Sequence, residues 1–201
     1  MKANLLIVFS FAVGVCLGRF TLFARVVPLS SSVTVALLAL IFLVGVGVGA
    51  NVRVWRVLKE MHLRILLVPL SVVVGTTAGV AAAAVLLGKI TLVQSIAIGW
   101  GFGYYSLSSV IITRIWGDML GMTALIANVA REIATLLLAP FLVRLFGRLA
   151  PVAAGGATSM DTTLPVISRI SGKEYAVIAV FSGMVLTLLV PVLIPILSKL
   201  G

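Results

Sequence analysis

The sequence predicts an all-α integral membrane protein, and three observations support this prediction. Hydrophobic residues make up 62% of the 201 residues, charged residues only 10%, and the mean hydropathy is +1.29. A soluble domain is roughly 45–50% apolar and about 25% charged. The apolar residues also form separate runs that approach the roughly 20 residues a helix needs to cross a bilayer. No globular core could hide that much apolar surface, so lipid is the solvent that fits.

About seven hydrophobic segments follow one another along the chain. They are residues 4–17, 33–51, 65–87, 92–113, 119–146, 150–170 and 175–197. The segment 150–170 is so rich in Gly, Ser, Thr and Pro that a re-entrant course stays open beside a full crossing. The longest polar connection, residues 53–64, is predicted to be a short amphipathic helix at the membrane surface. We therefore expect residues 1–201 to form a single transmembrane domain.

The basic residues predict an orientation rather than a partner. A net charge of +10 would indicate nucleic-acid binding in a soluble protein, but the 15 Lys and Arg residues lie scattered at the ends of apolar runs. Their distribution favours a multi-pass protein of the cell membrane with a cytoplasmic N-terminus and no nucleic-acid partner. No small-residue cleavage site follows the first run, which predicts an uncleaved span. Cys16 can form no intramolecular disulfide, and His62 is assigned no role.

Two of the apolar segments are interrupted by glycine or proline. The first interruption is residues 99–109 (GWGFGYYSLSS) and the second is residues 155–165 (GGATSMDTTLP). Backbone that leaves the helix at membrane depth is tolerated only where protein buries it or where it lines a wet cavity. A pair of such segments is typical of a transporter binding site. The alternative is that the glycines only allow helices to pack closely.

One apolar span carries a stripe of polar side chains on a single helical face. Asn128, Arg131, Glu132 and Thr135 follow the spacing i, i+3, i+4, i+7. A charge facing lipid costs at least about 2.5–3.5 kcal/mol, so this stripe should face protein or a water-filled cavity. The alternative to a binding site is a polar anchor between helices, with Arg131 paired to Asp161 or Glu132 paired to Arg169.

Asp161 is the second acidic residue at membrane depth, and it lies within the second interruption. Glycines before it let the chain unwind, and Pro165 after it prevents an unbroken helix. The nearby hydroxyls can bond the freed backbone or a ligand; they belong to Thr158, Ser159, Thr162 and Thr163. The residue is thus a candidate for binding an ammonium group, and it can also cap the helix that starts near Thr162.

Aromatic residues accompany the first interruption. Tyr104 and Tyr105 could offer cation–π contacts to an ammonium group beside Ser106, whereas Trp100 and Trp116 suit an aromatic belt at the membrane interface. The sequence contains no cluster of metal ligands, no nucleophile paired with a base and no phosphate-binding loop. We therefore expect a protein that is not an enzyme and that needs no cofactor or metal.

Two buried carboxylates indicate a site for a cation that competes with a proton. A cationic substrate needs opposite charge, because desolvation otherwise forbids its entry. Desolvation also raises the pKa of a carboxyl group, so the same group can hold a proton after the substrate leaves. Mutually exclusive binding of the two is a simple physical basis for antiport at Glu132 and Asp161.

The motifs GFGYYSLS, NVARE and GATSMDTTLP, in this order, resemble the lysine exporter family of bacteria and archaea, the LysO type. The resemblance implies export of L-lysine, and of toxic analogues such as thialysine, from the cytoplasm. Carried over position by position, it matches Glu132 and Asp161 to the acidic residues expected to act in the family. Their expected neighbours in the site are Asn128, Arg131, Thr158, Ser159, Tyr105 and Ser106.

Longer family members carry additional N-terminal membrane segments that this chain lacks. Either the shared module suffices alone or two copies associate to complete the protein, and of these we expect the homodimer. The leading interpretation is lysine export driven by proton antiport, with L-lysine, protons and the lipid bilayer as partners. Two other functions stay open. One is export of another cation, such as arginine, ornithine or sodium; the other is a membrane subunit that transports nothing.

Overall fold

The computed structural model describes residues 63–88 and 90–199 and, before them, only positions 13, 35, 38, 39, 42, 43, 46 and 50. The chain divides into two compact units, Met1–Leu43 and Val44–Gly201, and the architecture below belongs to the second. The isolated positions are helical, apart from a turn at position 50. The predicted first two spans otherwise lie outside the described residues, as do Cys16, His62 and most of the predicted surface helix.

Every regular element in the described part of the chain is helical, which confirms the predicted fold class. A 3₁₀ turn at Leu63–Leu66 precedes the first long helix, and a second 3₁₀ segment at Gly156–Met160 interrupts the later part of the chain. The α-helices are α1 (Leu67–Leu87), α2 (Leu92–Gly99), α3 (Tyr105–Trp116), α4 (Asp118–Phe146), α5 (Ala150–Gly155), α6 (Leu164–Ile170) and α7 (Lys173–Ser198).

Three helices in this part of the chain, α1, α4 and α7, are long and apolar enough to cross a membrane. They correspond to three of the seven predicted segments, and the total of seven stays a prediction. Glycines mark both ends of α4, where Gly117 and Gly147 have positive φ angles of 91° and 86°. Asp118 in its first turn and Arg144 in its last turn complement the helix dipole.

The apolar run predicted at residues 92–113 is not one continuous helix. It forms α2 and α3, which are separated by a turn at residues 100–104. Helix α2 begins with a capping box in which Thr91 and Gln94 bond each other's backbone amide. The segment predicted at residues 150–170 is likewise divided into α5, the 3₁₀ segment and α6. Both predicted interruptions are therefore confirmed.

Helix α7 is the most buried of the three long helices. Half of its most apolar window is buried, against 11% for α1 and 22% for α4. Gly183 lets the 3₁₀ segment lie directly on α7, because a Cβ atom there would lie 2.7 Å from the Met160 Cβ and 2.8 Å from the Ala157 carbonyl oxygen. The second interruption is thus held at the core of the bundle by close backbone contact.

We expect Gly183→Ala to destabilise the protein by about 1–3 kcal/mol, because the added methyl group meets main-chain atoms that must shift. The matched control is Gly75→Ala on α1, where a Cβ would meet nothing within 4 Å. Both changes raise helix propensity by up to about 1 kcal/mol, so the pair isolates the packing effect. Thermal unfolding of the purified protein measures both, and equal midpoints would contradict this account of the contact.

Candidate functional site

The two helix breaks meet each other inside the bundle. The first break is residues 100–104 and the second is residues 156–163; their meeting point is hereafter the junction. The amide of Ala157 in the second break donates a 2.8 Å hydrogen bond to the carbonyl of Phe102 in the first. A Cβ atom at Gly103 would lie 3.0 Å from the Gly155 carbonyl oxygen, and one at Gly156 would collide with the Phe102 carbonyl. Glycine is therefore required on both sides of this contact.

Phe102 adopts a backbone conformation that residues other than glycine rarely take. Its φ angle is +47°, and its side chain is fully buried. A residue held in this region costs on the order of 1–3 kcal/mol and persists only where its surroundings fix it. The buried ring and the bond to Ala157 provide that fixation, so the strained turn at the junction is held in place from both ends.

Asn128 on α4 holds the first break with every polar atom of its amide. Its Oδ1 accepts a 2.8 Å hydrogen bond from the Gly103 amide, and its Nδ2 donates to the carbonyls of Ile98 and Ala124 at 3.0 Å and 2.9 Å. The side chain is almost completely buried. An amide has two N–H donors, and both are used here. Asn128 therefore positions backbone and has no donor left for a ligand.

Arg131, close to one helical turn further along α4, bonds the end of α5 that leads into the second break. Its Nε donates to the Ala154 carbonyl at 2.7 Å, its Nη2 to the Ala153 carbonyl at 3.0 Å and its Nη1 to the Thr76 Oγ1 at 3.2 Å. The last carbonyls of a helix have no partner within the helix, and a cation there also complements the helix dipole. Arg131 thus caps the C-terminal end of α5, just before the chain enters the junction.

The hydroxyl groups of the second break bond to main-chain atoms. Thr158 donates to the Gly155 carbonyl at 3.0 Å, while Ser159 reaches the carbonyls of Gly156 at 2.6 Å and Ala179 on α7 at 3.0 Å. Thr158 and Ser159 are both buried. These hydroxyls therefore satisfy backbone groups that the break has freed, and their protons already take part in these hydrogen bonds.

Asp161 lies at the exposed end of the second break. Its Oδ1 accepts a 2.6 Å hydrogen bond from the Thr162 amide and a 3.3 Å bond from the Thr162 hydroxyl. Helix α6 begins only at Leu164 and has no side-chain cap. The Asp161 carboxylate is near enough to the Tyr104 phenol of the first break to interact with it electrostatically. Because the Asp161 side chain is exposed, its carboxylate is open to solutes.

Glu132 lies between Asn128 and Thr135 along the buried face of α4, and its side chain is half-buried. In the described part of the chain, its carboxylate makes no hydrogen bond or ion pair. Neither ion pair considered from the sequence, Arg131 with Asp161 or Glu132 with Arg169, is formed. The polar stripe thus divides into three kinds of side chain. Asn128 and Arg131 bond the backbone at or next to the breaks, and Thr135 donates to the Arg131 carbonyl within α4. Glu132 is a carboxylate without a partner among the described residues.

The remaining predicted residues lie on α3 and in the first break. Tyr105 is half-buried and Ser106 is exposed at the start of α3. The Trp100 Nε1 donates a 2.8 Å hydrogen bond to the Thr77 hydroxyl on α1, and the place of Trp100 in an interfacial belt stays a prediction. Sequence reasoning missed Thr76 and Thr77 on α1. The Thr76 hydroxyl accepts a hydrogen bond from Arg131, and the Thr77 hydroxyl accepts one from Trp100. The available signal was the hydroxyl pair itself, placed at the centre of an apolar span.

Long apolar helices packed around a pair of broken helices are typical of secondary transporters. The model of the lysine exporter LysO family matches residues 8–198 of this chain. The chain therefore belongs to the lysine exporter LysO family and is an integral membrane protein.

Two curated relatives show how much of the family's length this chain represents. It is 37% identical over 164 residues to the lysine exporter LysO of Escherichia coli (strain K12), which covers 81% of this chain and 53% of the relative. It is also 37% identical over 166 residues to a putative lysine exporter of Haemophilus influenzae (strain Rd); this match covers 81% of this chain and 82% of the relative. The chain thus spans about half the length of the first relative. No solved structure matches it.

We expect Asn128→Leu to destabilise the protein by about 1–3 kcal/mol, because it leaves the buried Gly103 amide without an acceptor. The control is Thr123→Val on the same helix, which removes only the exposed hydroxyl bond to the Met119 carbonyl. Thermal unfolding of the purified protein measures both variants. If Asn128→Leu unfolds at the same midpoint as Thr123→Val, the amide does not hold the first break.

Proposed function

We propose that this chain exports L-lysine from the cytoplasm across the cell membrane. Two relatives carry the names lysine exporter and putative lysine exporter. The structural support is the way polar side chains divide around the junction. Asn128 and Arg131 hold backbone, whereas Glu132 has no partner among the described residues and Asp161 bonds only to Thr162. Two carboxylates are therefore available for cationic groups.

The two carboxylates are proposed to bind the ammonium groups of lysine. An ammonium group that leaves water needs a compensating negative charge, which a carboxylate at membrane depth provides. Tyr104 in the first break and Tyr105 at the start of α3 offer aromatic faces for cation–π contact, and Ser106 offers an exposed hydroxyl. Thialysine carries the same charged groups as lysine, so we propose that the site accepts it as well.

Proton antiport follows from the same carboxylates. A carboxyl group can hold either a proton or a pairing ammonium, and the two states exclude each other. Release of lysine on the outside would let Glu132 or Asp161 take up a proton, and release of that proton inside would restore the charge that binds the next lysine.

Reconstituted protein should exchange labelled lysine against an imposed pH gradient, and Glu132→Gln or Asp161→Asn should lower this flux at least tenfold, by roughly 1.4 kcal/mol or more. Each change removes the charge and keeps the size of the side chain. Glu174→Gln is the matched control, because Glu174 is exposed in the first turn of α7 and lies outside the junction.

The same assay separates lysine export from the other candidate functions. Lysine flux that survives both substitutions would refute the role of the carboxylates. A pH gradient that responds to sodium, arginine or ornithine but not to lysine would indicate another exported cation. A wild-type protein that moves none of these would be a subunit without transport activity.

We also propose that two copies of the chain associate in the membrane. One face of α4 carries large apolar side chains that the described part of the chain leaves exposed; they are Ile126, Ile133, Leu137 and Phe141. Light scattering of the detergent-solubilised protein should give the mass of a dimer after subtraction of the micelle. A monomeric mass combined with full lysine exchange would contradict this association.

A further inference from the structure

The guanidinium of Arg131 belongs to a half-buried side chain and has no counter-charge in the described structure. Its three hydrogen bonds go to two carbonyl oxygens and one hydroxyl, all of them neutral. Every other arginine or lysine whose burial the structure describes has an exposed side chain. An unpaired ion in a low-dielectric region is costly, and at membrane depth such a residue commonly marks the path of a substrate. Among the described residues, Arg131 therefore has no anionic partner.

Arg131 also keeps the donors that an anion would need. A guanidinium has five N–H groups, and the bonds to Ala153, Ala154 and Thr76 use one on each of the three nitrogens. One N–H on Nη1 and one on Nη2 remain without a partner among the described residues. Two N–H groups on neighbouring nitrogens are what a carboxylate accepts in a bidentate pair.

A cavity of about 380 Å³ lies beside this guanidinium, between α1 and α4. Its polar wall is formed by Arg131 with Thr76 and Thr135, and its other walls are small or aliphatic residues such as Gly79 and Leu138. The volume is within the usual range of small-molecule sites, roughly 300–1,000 Å³. An apolar pocket with one cation at its base suits a small molecule that carries a carboxylate and an aliphatic chain.

We propose that this cavity is a carboxylate subsite in which Arg131 binds the α-carboxylate of the transported amino acid. The inference rests on the proposed export of lysine. It adds the residue that would distinguish an amino acid, which has a carboxylate, from a diamine, which has none. Arg131 and Glu132 are consecutive on α4, so the same helix carries both signs of charge that a zwitterion requires; Arg131 lines the cavity and Glu132 lies outside its lining. Arg131 holds the second break and the ligand with different N–H groups.

Equilibrium binding of L-lysine and of cadaverine, the diamine that lacks only the carboxylate, tests the subsite on the purified full chain. Wild type should bind lysine at least about tenfold more tightly than cadaverine, the effect expected of a charge-assisted bidentate pair. Gly79→Leu should abolish this preference by filling the cavity while Arg131 keeps its bonds. A Cβ at Gly79 meets nothing within 4 Å, and the change favours helix.

Ala78→Leu is the matched control, because Ala78 is exposed on the same helix and does not line the cavity; it should bind lysine as wild type does. Arg131→Gln should lose the preference for lysine as well. Equal binding of lysine and cadaverine by wild type, or unchanged lysine affinity in Gly79→Leu, would overturn the subsite. Lysine binding with the expected preference but without flux would refute export alone, and flux without the preference would refute the subsite alone.

Discussion

The hydrogen bond from the Ala157 amide to the Phe102 carbonyl joins two helix breaks, and the arrangement of the bundle follows from it. In a bilayer every main-chain polar group needs a partner, because lipid offers none. A single break would leave several such groups unpaired, whereas two breaks that meet can bond each other. Gly103 and Gly156 permit the approach, and Gly183 on α7 lets the second break lie against the most buried helix.

Helix α4 supplies hydrogen-bond partners that the two breaks cannot provide for each other. Asn128 bonds the first break and Arg131 bonds the end of α5 before the second, so one continuous helix fixes both at nearly the same height. This sets the roles within the polar stripe. Residues whose donors are bound to backbone serve as supports, and Glu132 is left as a carboxylate without a hydrogen bond or ion pair among the described residues.

The sequence was sufficient to predict the helix bounds of α4, both breaks and the shared face of the stripe, since each depends on local composition and periodicity. The bonding partners could not be predicted. Asn128, Thr158 and Ser159 were assigned to a substrate, yet their donors bond carbonyls that any residue type would present. Thr76 escaped notice for a related reason, because its partner Arg131 lies 55 residues away in the chain.

Charge balance connects the proposed site to the proposed coupling. Lysine carries two ammonium groups and one carboxylate, and the groups assigned to it are two carboxylates, Glu132 and Asp161, and one guanidinium, Arg131. Each charge of the bound lysine then has an opposite partner, so the loaded site is neutral. The empty site carries one net negative charge, which a single proton on either carboxylate removes. The site is therefore neutral when it holds lysine or a proton and negatively charged when it is empty. Because a net charge is costly at membrane depth, the transport step is favoured only when lysine or a proton is bound.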